Sequence, residues 1–183
     1  DGRLILLTES GLVVSLSRRL DDPVYLQLET DEPISNSLAI DETGGIFVVK
    51  SDAVVRVQWN PRGERNQNGE ETTAADRRLS IAWQVPYQSS SEQFPGRLGV
   101  GSGTTPSLVG VGEQDKFVAI GDGQKQMHLV LIWRGEIPHD WAGIPGRDRR
   151  IAAEVPVTFG HEGTDRSTTE QSLTVRGYEI VAV

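Results

Sequence analysis

Cysteine is absent from this sequence of 183 residues, methionine occurs once, and histidine three times. The first absence excludes disulfides, thiolate nucleophiles and sulfur-ligated zinc, and it leaves the redox compartment open, because a cysteine-free chain tolerates oxidising and reducing surroundings alike. His128, His139 and His161 are too widely spaced for a transition-metal motif, since none has a partner histidine at i+2 or i+4. Long apolar runs are missing as well. The longest, Leu129 to Trp133, has five residues, where a membrane-spanning helix needs about 20. Basic residues are in deficit, 18 against 26 acidic ones, for a net charge of −8. That field repels phosphate backbones and anionic lipid, so neither nucleic acid nor membrane is an expected partner. The chain starts at Asp1 with no charged-then-apolar leader. The expectation is a removed leader, favouring a periplasmic or secreted protein, or a piece of a longer chain.

What is present is strand grammar. Valine outnumbers alanine 19 to 10, and apolar runs of four to eight residues alternate with Gly, Asp, Asn, Ser and Pro. Strands are predicted at Leu4–Thr8, Leu12–Ser17, Val24–Leu28, Ser37–Asp41, Ile46–Lys50, Val54–Trp59, Ser80–Val85, Ser107–Val109, Phe117–Gly121, His128–Arg134, Val155–Phe159, Ser172–Val175 and Glu179–Val183. No stretch of ten residues carries a 3.6-residue apolar period; the best helical candidate, Glu70 to Arg78, has only Ala74 and Ala75 on its apolar face. The fold class is all-β.

An internal repeat organises these strands. Asp1 to Thr8 followed by Leu12 to Leu16 aligns without a gap on Thr43 to Lys50 followed by Val54 to Gln58, an offset of 42 residues. Ser37-Leu38, Ser107-Leu108 and Ser172-Leu173 precede Ile46 to Val49, Phe117 to Ile120 and Ile180 to Val183. A unit of about 42 residues holding four short strands has the size of a β-propeller blade. The sequence therefore predicts one domain over 1–183, a β-propeller segment of about three to four blades, truncated at both ends and packed against other blades of the same propeller. Its units are Leu4 to Leu28, Leu38 to Trp83, Leu108 to Phe159 and a partial one from Ser172. Asn60 to Leu79 and Arg134 to Arg150 read as long loops.

The string Ile34 to Val49 resembles the repeat of bacterial propellers of the pyrroloquinoline-quinone-binding-like (quinoprotein-like) superfamily. Pro95 to Leu108, followed by Phe117 to Ile120, resembles a glycine-rich blade junction in an uncharacterised branch of those proteins. Both strings lie within residues 34–120. The repeated tryptophan docking motif of quinone-dependent alcohol dehydrogenases is not evident, and with no clustered ligands or phosphate cradle in the chain, no quinone, nucleotide or transition metal is expected. Propeller hydrolases of the gluconolactonase kind hold calcium on acidic and amide groups at the central channel. By that resemblance Asn36 and Asp41, flanking an innermost strand, are the metal candidates; their alternative role is turn capping.

Other chemistry is thin. Gly99 to Thr105 invites a phosphate-loop reading, but no Lys follows the glycines and Pro106 with a strand does, which favours a tight approach to that strand. No Gly-x-Ser-x-Gly elbow exists, so nucleophilic catalysis is unsupported. Asp41, Glu42, Asp115, Asp122, Glu162 and Asp165 each lie within three residues of a glycine at predicted turns, as turn residues do. Trp59 and Trp133 end equivalent strands and should fill one repeated slot, leaving Trp141 for ligand contact. The reading that results is a binding or scaffold module that presents its long loops, with Trp141, Arg147, Arg149 and Arg150, to a protein or small extended ligand. The alternative is a propeller enzyme, a lactonase-like hydrolase or quinoprotein-type oxidoreductase, with most of its site in other blades.

Overall fold

The computed structural model describes residues 2–61, 78–92, 97, 99–112 and 115–183. Among them are thirteen strands and no α-helix, and no helix long and apolar enough to cross a membrane. The strands form antiparallel sheets in chain order. The first sheet holds β1 (Leu4–Leu7), β2 (Leu12–Leu16) and β3 (Val24–Gln27); the second holds β4 (Ala39–Ile40), β5 (Gly45–Val49), β6 (Ala53–Trp59) and β7 (Leu79–Pro86). The third holds β8 (Ser107–Val109), β9 (Phe117–Gly121), β10 (His128–Trp133) and β11 (Ile151–Pro156), and β12 (Thr174–Arg176) with β13 (Glu179–Val181) makes the fourth. The first three sheets are meanders and the fourth is a two-stranded hairpin; the second sheet runs to Pro86 and the third starts at Ser107, each a little past the unit expected from the repeat.

The 42-residue offset places β1 on β5, but it slips at the hairpin turn. Glu9 to Gly11 close the first hairpin, with Thr8 N donating to Leu12 O at 3.0 Å, whereas only Ser51 and Asp52 separate Lys50 from Ala53 in the second. Leu7 therefore pairs with Val13 and Val49 with Val54, so the second arm is related by one residue less. A one-residue slip reverses every side chain, and the longer turn keeps the faces equivalent. Ile5, Leu7 and Val13 face the second sheet, as Phe47, Val49 and Val54 face the third.

Three apolar layers follow from this stacking. Val13, Val24 and Leu28 meet Ile46, Val48, Val55 and Val57; Phe47, Val49 and Val54 meet Val118, Ile120, Val130 and Ile132; Val109 and Ala119 meet Leu173, with Ile180 and Ala182 beside them. The second sheet is covered on both faces, which explains why Ile46 to Val49 reads as an unbroken apolar run. The outer face of the first sheet leaves Leu4 44% and Leu6 51% exposed, and beyond the fourth Val181 and Val183 are 53% and 71% exposed.

Three expectations need correction. β11 covers Ile151–Pro156 rather than Val155 to Phe159: Ala152 and Ala153 have little strand preference, yet pairing with β10 recruits them, and Phe159 turns out of the strand at φ 49°. β4 is two residues long rather than the five of Ser37 to Asp41. Trp59 and Trp133 do not share a slot. Trp133 sits opposite Phe117 as Gln58 sits opposite Gly45, one residue short of the place of Trp59. Trp59 thus packs toward the first sheet, while Trp133 stacks on Phe117 at 4.5 Å on the opposite side of its own sheet. Of the expected loop Asn60 to Leu79, residues 62–77 lie outside the described residues, as do most of the helical candidate and Pro95, Gly96 and Leu98 of the glycine-rich match.

Candidate functional site

The connection from β10 to β11 is built by its own side chains. Trp141 Nε1 donates to Arg149 O at 3.0 Å, and Arg149 Nε returns a bond to Trp141 O at 3.0 Å. Arg149 Nη2 also reaches His139 O at 3.2 Å. Arg150 turns inward: its Nη1 donates to Trp133 O at 3.0 Å and Gly135 O at 2.6 Å, and its guanidinium lies 4.9 Å from the centre of the Trp83 ring. Burial pushes the Arg150 pKa down; Asp148 opposes the shift and Arg56 adds to it. Arg147 Nε donates to Glu154 Oε2 at 2.7 Å on β11. The structure thus brings Trp141 and Arg149 together, uses Arg150 as a clamp at the loop's root, and ties Arg147 to the neighbouring strand.

The first residues of this loop line a cleft of about 440 Å³ between the second and third sheets, with Asp41, Glu42, Thr43, Arg56, Lys116 and Arg134 on its walls. The Asp41 side chain is 3% exposed. Its Oδ1 accepts Thr43 N at 2.8 Å, Thr43 Oγ1 at 2.7 Å and Gly45 N at 2.8 Å, which caps the turn into β5. Its Oδ2 lies 3.6 Å from Arg56 Nη2 and 4.0 Å from Arg134 Nε. Arg56 crosses between the sheets, donating to Arg134 O at 3.1 Å and Thr43 Oγ1 at 2.9 Å. It passes so close over Gly45 that a Cβ there would stand 2.6 Å from its Nε. Arg56 Nε and Trp133 Nε1 are buried with no acceptor. Glu42 pairs with Lys116 and lies 3.4 Å from Arg134 Nη2. Chemically the cleft is an interlocked set of charges suited to recognising a polar group, and its one hydroxyl, that of Thr43, is already engaged.

The Lys116 contact, helped by the backbone and by Arg134, lowers the Glu42 pKa from 4.5 to about 2. A folded pKa below the unfolded one stabilises the fold above the unfolded value and loses that contribution as pH falls through the folded one. Glu42 is half exposed, so the contribution is ~1 kcal/mol or less. Expected in urea titrations is a decline in stability between about pH 5 and pH 2 that is shallower in Glu42→Gln. An identical slope in the variant would assign the decline to other carboxylates, such as Asp22, held well below the usual range by Arg78 and then Arg3.

The two metal candidates are not brought together. Asn36 and Asp41 lie on either side of β4, and the Asp41 carboxylate is engaged in the turn into β5. Asn36 Nδ2 donates to Ser102 O at 2.8 Å instead. A pairing missed by sequence reasoning is Asp122 with His128. Asp122 Oδ1 accepts His128 N at 2.8 Å, and its Oδ2 lies 3.2 Å from His128 Nδ1, with Gln124 bonded to both side chains. The six-residue spacing across the β9–β10 turn was the available signal. Among the described residues no three His, Asp or Glu side chains converge as a metal site would require.

No protein-family model matches the chain. It is 49% identical over 180 residues to an uncharacterised protein of the archaeon Archaeoglobus fulgidus, a match covering 96% of this chain and 32% of that relative. The chain therefore spans about a third of the length of the curated relative it matches.

Proposed function

We propose that the chain is a set of consecutive propeller-type blades of the quinoprotein-like kind, working as a binding or scaffold module. The loop Arg134 to Arg150 and the charged cleft beside it form the face presented to a protein or extended ligand. The blade reading is supported by four antiparallel sheets in chain order, each packed on the next, with β1 and β2 of the first sheet echoed in sequence by β5 and β6 of the second. One observation carries the binding role: the loop is held in shape by the reciprocal Trp141 and Arg149 bonds and by the Arg150 clamp. A preshaped loop loses little conformational entropy on binding, so more of its contact energy appears as affinity.

The test uses a full-length protein carrying this segment, with residues 136–148 replaced by a Gly-Ser linker of equal length. Partner recovered by co-purification from its own cells is expected to fall about tenfold or more, a loss of ~1.4 kcal/mol, with the melting temperature of the fold retained. Undiminished recovery with the linker in place would refute the loop as the presenting element.

A further inference from the structure

A second concavity opens where the first and second sheets meet. Its inner part is an apolar slot of about 200 Å³ lined by Ile5, Ile40, Ile46 and Trp59. Its outer part, about 430 Å³, has Arg3, Arg18, Arg19 and Arg78 on its walls. Arg3 and Trp59 line both, so slot and mouth adjoin. The guanidiniums of Arg3 and Arg78 lie 4.6 Å and 5.7 Å from the centre of the Trp59 ring. Asp22 fixes these two arginines, accepting Arg3 Nη1 at 2.9 Å and Arg78 through both carboxylate oxygens at 2.8 and 2.9 Å.

The other two arginines are less committed. Arg18 Nε reaches Gly2 O at 3.2 Å, and the Arg19 side chain makes no hydrogen bond or ion pair among the described residues. Both project from the β2–β3 turn, where Leu20 and Asp22 take φ of 63° and 49°, a left-handed conformation costing a non-glycine residue roughly 1–2 kcal/mol. Strain of this kind persists where the surroundings over-determine the backbone, and it gathers at ligand clamps. Four arginines and Asp21 line the outer part, with Asp22 paired to Arg3 and Arg78, a local positive excess in a chain of net charge −8. On the slot side Ile40 is 46% exposed, apolar surface that an occupant would cover.

We propose that this cleft binds a small amphiphilic anion, with its carboxylate or phosphate on Arg18 and Arg19 and its apolar tail in the slot against Trp59 and Ile40. The guanidinium fork matches the oxygens of either headgroup. The slot has room for roughly six or seven atoms of water size at about 30 Å³ each, enough for a short alkyl chain or one ring. Among the described residues the site is lined by the first two sheets and the turns beside them, and it shares no lining residue with the loop Arg134 to Arg150.

Calorimetric titration of the 183-residue chain with hexanoate and with hexyl phosphate tests the proposal, with hexanol and inorganic phosphate as the tail-only and head-only controls. One saturable site is expected for a hexyl anion, at least about tenfold tighter than for either control. The tighter of the two anions assigns the headgroup. Arg18→Ala with Arg19→Ala, both exposed positions, should weaken binding about tenfold or more without changing the melting temperature. Ile40→Glu should abolish it. Hexanol binding as tightly as hexanoate, an unchanged affinity in the double arginine variant, or no saturation by about 10 mM would each overturn the assignment.

Discussion

Gly101→Ala is expected to cost about 3–5 kcal/mol of unfolding free energy, whereas Gly146→Ala should cost only about 1–2. Both glycines have positive φ, 94° and 75°, so both variants suffer the same left-handed penalty. They differ in what a side chain would meet. A Cβ on Gly101 would stand 2.5 Å from Ser51 Cα, 2.6 Å from Ser51 O and 2.8 Å from Tyr87 Oη, while a Cβ on Gly146 meets nothing within 4 Å. The obstacle at Gly101 is backbone and cannot rotate away. Moving the segment would disrupt a buried relay in which Tyr87 Oη donates to Lys50 O at 2.5 Å and accepts Ser102 N at 2.8 Å, while Asn36 holds Ser102 O. Orphaning such buried groups costs ~1–3 kcal/mol apiece. Urea denaturation of the two variants measures the difference directly, and equal losses would show that the close approach is not what the glycine serves.

That comparison also shows why the glycine-rich string was readable only in outline. A phosphate cradle and a tight approach both call for glycine, and the choice rested on Pro106 and the strand after it. The position that demands glycine depends on Ser51 and Tyr87, which sequence spacing does not place. Strand positions were more legible, because apolar alternation and turn residues act locally. β8 and β9 have their predicted bounds, while β11 was misplaced because pairing with β10, rather than composition, recruits Ala152 and Ala153. The repeat was legible and its one-residue slip was not, since Glu9 to Gly11 and Ser51-Asp52 differ in length by a residue that a gapless alignment absorbs silently.

The two clefts mark the limit of such reading. Trp141 and Arg149 lie eight residues apart in one loop, so their partnership was within reach of sequence. Arg3, Arg18, Arg19 and Arg78 are scattered over three chain segments, and only the stacking of two sheets gathers them. The overall negative charge pointed away from anion binding, yet a net charge describes the far field and says little about a pocket a few ångströms across.

Leu6→Glu and Val48→Glu should have opposite consequences, although the two residues hold the same position in consecutive units. The offset that relates β1 to β5 carries Leu6 onto Val48, and both point away from the following sheet. Val48 is 0% exposed because the first sheet covers it, while Leu6 is 51% exposed. A carboxylate at Val48 is forced into an apolar layer among Val13, Val24 and Val57, where it must ionise without a partner or stay protonated and unsatisfied. Either costs several kcal/mol, out of a total of about 5–15 for a domain of this kind, so Val48→Glu is expected to be largely unfolded by circular dichroism and calorimetry. Leu6→Glu meets water and should change stability by about 0.5 kcal/mol or less. It also interrupts the apolar face shared with Leu4, whose exposure makes it a surface for self-association. In sedimentation velocity the parent chain should therefore show concentration-dependent association that Leu6→Glu reduces. If Leu6→Glu destabilised the chain as deeply as Val48→Glu, the outer face of the first sheet would have to be covered within this chain, and the stacking order described for the sheets would be wrong.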